Sequence, residues 1–229
     1  DYGIITLVFS YLIFFNVILS YGMETTVFRF FTKEDKKNKV FSTATLSIFF
    51  SSLLFLTLSI IFNTEISQVL DLKPFHYKLI IWVLFFDAIC VIPFAYLRIN
   101  KKPIRYAIVK IINVVVNLGL NLFLLLKLPT WKNDFEFLNR IYVDDFRIEY
   151  SFISFIISSG LTFLLLSPFF IKLKYQFDAQ LWKKMMKYAL PVLVAGLAYS
   201  INETLDKILL NYLLPDNIAK SQVGVYGAC

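Results

Sequence analysis

The sequence is poor in charge and glycine, and almost devoid of histidine and cysteine. Charged residues fill 17% of its 229 positions, against about 25% in an average soluble domain. Its two cysteines, Cys90 in an apolar run and Cys229 at the last position, cannot build a disulfide framework. The single histidine, His76, stands at the start of an apolar segment and reads as solvated. No cluster of His, Cys, Asp and Glu has metal-ligand spacing, no nucleophile stands in a triad pattern, and the seven glycines form no phosphate-cradling loop. Catalytic residues: none are expected, nor is a metal or a cofactor, and the chain reads as a non-enzyme.

Apolar residues are what the chain has in excess. They make up 58% of it, with 25 Phe and a mean hydropathy of +0.68. A water-soluble domain of this size could not bury so much apolar surface, and a disordered chain needs the opposite composition. The class is an all-α polytopic membrane protein. The chain opens at Asp1 with no basic stretch or small-residue cleavage site, and closes on Tyr226-Gly227-Ala228-Cys229 with no polar tail. Both ends read as truncations of a longer protein.

A hydrocarbon core about 30 Å thick needs ~20 apolar residues in a helix. Six stretches meet or approach that length: Gly3 to Phe31, Val40 to Phe62, Tyr77 to Leu97, Ile104 to Leu126, Tyr150 to Ile171 and Tyr188 to Leu214. Pro93 is expected to kink the third, and Pro191 to sit in the first turn of the sixth, where a missing N–H costs least. Strands of a membrane barrel would be about half as long and would alternate in polarity.

Lysine and arginine alternate in density along these spans. The connections after spans one, three and five hold fifteen of the 23 basic residues, among them Lys36, Lys37, Lys101, Lys102, Lys172 and Lys184. The others hold few, and Lys127 to Glu149 is also acidic and long enough for a short cap. By the positive-inside rule the Asp1 end lies outside and the basic connections lie in the cytoplasm. This asymmetry accounts for the net charge of +7 without nucleic acid. Asp178 is placed to cap a helix whose Leu181, Trp182 and Met185 share one side while Lys183, Lys184 and Lys187 point to the other. That segment reads as an interfacial anchor, a linker between rocking lobes, or both.

Polar groups at membrane depth are costly and mark packing or function. Span four carries Asn113, Asn117 and Asn121 at four-residue spacing, within about 80° of arc, with Lys110 on the same side. The stripe either holds helices together by hydrogen bonds or lines a hydrophilic path. Span six carries Asn202, Glu203, Asp206 and Lys207; Glu203 and Lys207 are spaced for an ion pair, which leaves Asp206 as a candidate for ion coupling. Asp87, isolated in span three, is a second such candidate. Arg29 and Arg98 end spans one and three. They either snorkel to the interface or meet pyrophosphate through their two-pronged guanidinium groups.

Three stretches carry a family likeness. They are Tyr21-Gly22-Met23-Glu24-Thr25 with Phe28-Arg29-Phe30; Leu97-Arg98-Ile99-Asn100-Lys101-Lys102-Pro103 followed by the Asn113, Asn117 and Asn121 stripe; and Tyr188-Ala189-Leu190-Pro191 followed by Ala195-Gly196-Leu197 and Ile201-Asn202-Glu203-Thr204-Leu205-Asp206-Lys207. In these the chain resembles Wzx-type polysaccharide-repeat (O-antigen) flippases of the multidrug/oligosaccharidyl-lipid/polysaccharide exporter superfamily. The resemblance implies about six helices of a larger MATE-like two-lobe bundle. Residues 1–171 would be first-lobe helices, 172–187 a cytoplasmic amphipathic linker, and 188–229 the first helix of a second lobe with a following loop. It further implies a carrier in the bacterial inner membrane, working by alternating access on undecaprenyl-pyrophosphate-linked oligosaccharide for lipopolysaccharide. Its partners would be that lipid-linked oligosaccharide, membrane lipid, and a polysaccharide polymerase and glycosyltransferases. Asn113, Asn117 and Asn121 would face sugar, with Arg29, Arg98 or Lys110 at pyrophosphate. A cation-coupled multidrug antiporter and a non-transporting scaffold in polysaccharide assembly are the alternatives.

Overall fold

The computed structural model describes residues 2–33, 37–131, 142–143 and 146–228. Helix dominates them and no strand occurs among the described residues. The first span is two helices, α1 (Tyr2–Ser20) and α2 (Met23–Lys33). Tyr21 and Gly22 part them with φ of 33° and 67°, a conformation that glycine adopts without strain. The helices α3 (Lys37–Ile61), α4 (Asn63–Val69), α5 (Pro74–Ile99) and α6 (Pro103–Leu122) follow. Pro74 and Pro103 open α5 and α6, where a missing N–H leaves no bond unmade. A π turn, Phe123–Lys127, leads from α6 into the short α7 (Leu128–Trp131). The last three are α8 (Arg147–Lys172), α9 (Ala179–Leu213) and α10 (Asp216–Ala228).

Five of these segments are long and apolar enough to cross a membrane: Gly3–Thr32, Lys37–Ile61, Pro74–Ile99, Pro103–Trp131 and Arg147–Lys172. They coincide with the first five expected spans. The sixth lies within α9, whose 35 residues reach about 52 Å at ~1.5 Å per residue. At its start Trp182 Nε1 donates to Ser47 Oγ of α3 (2.8 Å), and at its far end Tyr212 Oη donates to the Val69 carbonyl at the end of α4 (2.5 Å). It therefore runs the height of the bundle alongside the apolar helices, although its composition is more polar than theirs.

α5 is the hub. Of its most apolar window 61% is buried, against 6% for the span that contains α6. α8, α3 and α1 pack around α5, α6 leans on α8, and α9 lies against α1 and α2. Val27, Ala44, Ile81, Leu84, Ile92 and Met185 are fully enclosed. On α6, by contrast, Ile104, Ile108, Ile111, Val115 and Leu118 are exposed, and its asparagines turn inward. This inverted pattern is that of a helix with lipid on its outer side. The basic connections gather at one end: Asn38 Nδ2 donates to the Lys174 carbonyl (2.9 Å) and Lys39 Nζ pairs with Asp178 Oδ2 (3.4 Å).

Three local expectations change. Pro191 lies inside α9 instead of in its first turn, because the amphipathic segment and the sixth span form one continuous helix. Asp178 does cap that helix, accepting from the N–H groups of Gln180 (3.1 Å) and Leu181 (3.0 Å). The residues after Leu214, expected as a loop, form α10, which packs on α1. It is tied there by Lys220 Nζ to Asp71 Oδ2 at 3.0 Å, and Gly3 lies under the Lys220 carbonyl with no room for a side chain. His76 is buried, not solvated: its Nε2 meets Glu149 Oε1 at 2.7 Å across the α5–α8 interface. Its partner lies 73 residues away, which no local pattern displays. Much of the expected cap between Lys127 and Glu149 lies outside the described residues, as does Lys36.

Candidate functional site: a polar cavity between α1, α5, α6 and α8

Between α1, α5, α6 and α8 lies an open cavity of about 550 Å³. The inward edge of α6 supplies Tyr106, Lys110 and Asn113, and α8 supplies Ser158, Ser159 and Thr162. α1 contributes Asn16 and Ser20, while α5 brings Asp87 and Arg98 to it. The spacing explains the convergence: residues 106, 110 and 113, like 158 and 162, recur every three or four positions and so share one helix edge.

Two acids and two bases line the cavity: Glu24, Asp87, Arg98 and Lys110. Glu24 and Arg98 form an ion pair. The Arg98 guanidinium also lies over the rings of Phe28 (5.4 Å) and Tyr106 (5.3 Å), so its attraction is shared between a carboxylate and two aromatic faces. Asp87 Oδ1 accepts from Ser159 Oγ at 2.8 Å, with Asn16 and Lys110 as its further neighbours. The Lys110 ammonium sits 4.4 Å from the Phe94 ring centroid. Once Glu24 and Arg98 neutralise each other, one acid and one base face a wall of hydroxyl and amide groups.

The asparagine stripe divides between packing and lining. Asn113 Nδ2 donates to Thr162 Oγ1 (2.9 Å) at the cavity wall. Asn117 Nδ2 reaches Ser158 Oγ (3.3 Å), and Asn121 Nδ2 donates to the Asn117 carbonyl (3.0 Å) and side-chain oxygen (3.2 Å). Asn117 and Asn121 are outside the cavity lining; Asn117 joins α6 to α8, and Asn121 braces Asn117 from the next turn of α6.

The remaining candidate residues lie elsewhere. Arg29 is exposed on α2, with its guanidinium 4.2 Å from the Tyr188 ring centroid of α9. On α9, Asn202 and Glu203 are exposed. The expected Glu203–Lys207 ion pair does not form: Lys207 Nζ donates to the main-chain carbonyl of Glu203 at 3.1 Å. Asp206 has partners instead, the Lys207 N–H (2.8 Å) and the Tyr226 phenol of α10. This cluster and Arg29 are not among the residues that line the cavity.

Asn16, Ser158, Ser159 and Thr162 were not singled out from the sequence. Their signal was nonetheless there, as hydroxyls at positions 151, 154, 158 and 162 repeat at helical spacing through an apolar span. Serine and threonine are common in ordinary helix packing, so their facing a cavity emerges only from the fold.

A family model described as polysaccharide biosynthesis protein matches residues 1–229. The chain belongs to that family. It is the family of Wzx-type polysaccharide flippases, and the match agrees with the resemblance carried by the three stretches of sequence. No curated protein and no solved structure matches. For a member of the polysaccharide biosynthesis family, a multi-pass bundle with a hydroxyl- and amide-lined cavity fits a transporter concerned with polysaccharide.

Proposed function

We propose that this chain serves as a flippase, moving undecaprenyl-pyrophosphate-linked oligosaccharide units across the bacterial inner membrane by alternating access. The observation that carries the reading is the cavity lining. A sugar head needs many neutral donors and acceptors, and Asn16, Asn113, Ser158, Ser159 and Thr162 offer them together. With two acids and two bases, the lining has no net formal charge, so charge does not choose the ligand and the neutral donors and acceptors carry the reading. Arg98 and Lys110 are the cations placed to meet pyrophosphate, and Arg29 stands apart on α2. The lipid tail stays in the bilayer beside the apolar outer stripe of α6.

In this reading the Asp1 end faces outward and the basic end faces the cytoplasm, where glycosyltransferases deliver the repeat unit. A polymerase of O-antigen or a similar lipopolysaccharide component receives it outside. Residues 1–171 belong to the first lobe of a MATE-like pair, residues 172–187 link the lobes, and 188–229 begin the second. The test is translocation of lipid-linked oligosaccharide in membrane vesicles. Asn113→Leu with Thr162→Val keeps volume but removes the sugar-facing polar atoms, and a loss of about tenfold or more is expected, since each lost bond is worth ~1 kcal/mol. Arg98→Ala is expected to slow the same step. Unchanged translocation in both, at equal expression, refutes the reading.

A cation-coupled antiporter of the same superfamily is a second reading, favoured by Asp87 on the cavity wall beside Ser159 and near Lys110. Asp87→Asn separates the two. Loss of dependence on a proton or sodium gradient for drug export supports antiport, whereas loss of sugar translocation alone supports the flippase.

A further inference from the structure

A second pocket, of about 130 Å³, opens at the basic end, where α3 and α6 begin and α5 and α8 finish. It shares no lining residue with the central cavity. Its floor is apolar: Leu97, Leu166 and Leu173 are buried there, and the tilted rings of Tyr96 and Phe169 pack nearby, 5.0 Å between ring centroids. Its rim carries three exposed cations from three positions in the chain, Lys102, Arg105 and Lys172. None of the three pairs with a carboxylate among the described residues. No acidic residue lines the pocket.

We propose that this pocket holds an anionic phospholipid, its phosphate bound by Lys102, Arg105 and Lys172 and the start of its acyl chains lying on the leucine floor. Several points select this occupant. Unopposed cations around a concavity seek an anion, and phosphate accepts from two lysines and a forked guanidinium at once. The start of α6 adds the favourable end of a helix dipole to the same rim. A soluble ion would leave the apolar floor unused, whereas an amphiphile covers it. The pocket also lies at the ends of membrane-crossing helices, at headgroup depth, where basic pockets between helices recruit anionic lipid. The volume is well above the ~10–15 Å³ that a single water needs. This lipid site is independent of what the central cavity carries.

The test uses the whole chain purified in a neutral detergent, with lipid binding followed by native mass spectrometry. Phosphatidylglycerol is expected to bind saturably and phosphatidylcholine at least about tenfold more weakly, because its headgroup has no net charge. The triple variant K102Q/R105Q/K172Q is expected to lose at least about tenfold in phosphatidylglycerol affinity. The variant K183Q/K184Q/K187Q removes as much charge from the exposed face of α9 and is expected to stay within about twofold of the parent. Leu173→Trp fills the floor while keeping every cation, and is expected to weaken lipid binding too. Melting of each variant without lipid separates lost binding from lost folding. Equal loss in the two triple variants overturns the proposal, as does unchanged binding in both K102Q/R105Q/K172Q and Leu173→Trp. Inorganic pyrophosphate binding as tightly as the lipid also overturns it, because the floor then contributes nothing. So does displacement of phosphatidylglycerol by a stoichiometric lipid-linked pyrophosphate, which would make the site one for substrate.

Discussion

His76 and Glu149 permit a quantitative test of how α5 and α8 are held together. The pair is 2.7 Å apart, with His76 1% and Glu149 8% exposed. Phe152 covers the imidazole in an edge-on contact, 5.6 Å between ring centroids. Little of the pair reaches solvent, so a His76→Leu variant leaves the Glu149 carboxyl buried without its partner. Orphaning one member of a buried pair costs about 3–5 kcal/mol, a large share of the 5–15 kcal/mol that holds typical domains. Replacing both residues with leucine removes the unmet group as well as the bond, and such double replacements are often neutral. The double variant is therefore expected to be more stable than His76→Leu by at least about 2 kcal/mol. Denaturant titration of the parent, both single variants and the double variant in one detergent gives the coupling energy directly. Additive effects within about 0.5 kcal/mol would refute the reasoning, because the contact would then carry no coupling.

Three further outcomes follow from the packing. Gly22→Ala places a Cβ 2.8 Å from the Val192 side chain and 2.9 Å from the Ala189 carbonyl, at a φ of +67°; the strain and overpacking together are expected to cost about 2–4 kcal/mol in the same denaturation assay. Ser47 Oγ meets both Trp182 Nε1 (2.8 Å) and Tyr21 Oη (2.7 Å), so Ser47→Ala should destabilise more than Trp182→Phe, which loses one bond worth ~1 kcal/mol; equal effects would show that the Tyr21 contact is idle. The Asp178 carboxyl is held below the usual carboxylate range, chiefly by the Leu181 N–H and, against some desolvation, by Lys39. A lowered folded value adds stability above the unfolded pKa of ~4, and this is lost as pH falls through the lower folded value. The parent should therefore lose melting temperature between about pH 5 and pH 3 more steeply than Asp178→Asn. Parallel pH curves would contradict this.

Order was legible wherever one helix carried its own signal. Apolar runs of twenty or more residues marked the membrane-crossing segments, and the spacing of Asn113, Asn117 and Asn121 placed them on one edge of α6. Asp178 announced the start of α9 because a cap acts within three residues. What stayed hidden depends on contact between segments far apart in the chain. Asn113 and Asn117 read alike in sequence, yet one borders the cavity and the other grips Ser158, a difference set by how α6 leans on α8. Glu203 and Lys207 have ideal spacing, but the lysine turns to a main-chain carbonyl. Pro191 resembles a helix start because proline favours first turns. Nothing in the preceding residues stops the helix that begins at Ala179, so the proline falls inside it.

The root of α9 is moored to the opening turns of α3. Ser42 Oγ accepts from the Gln176 N–H (2.5 Å) and Thr43 Oγ1 from the Asp178 N–H (3.3 Å), with Trp182 bonded to Ser47 four residues further on. Proline at 191 deprives the Lys187 carbonyl of its usual donor, and Gly22 presses its bare backbone against the next turn. A mast stepped so firmly at its foot and short of one main-chain bond partway up bends at least cost near Pro191.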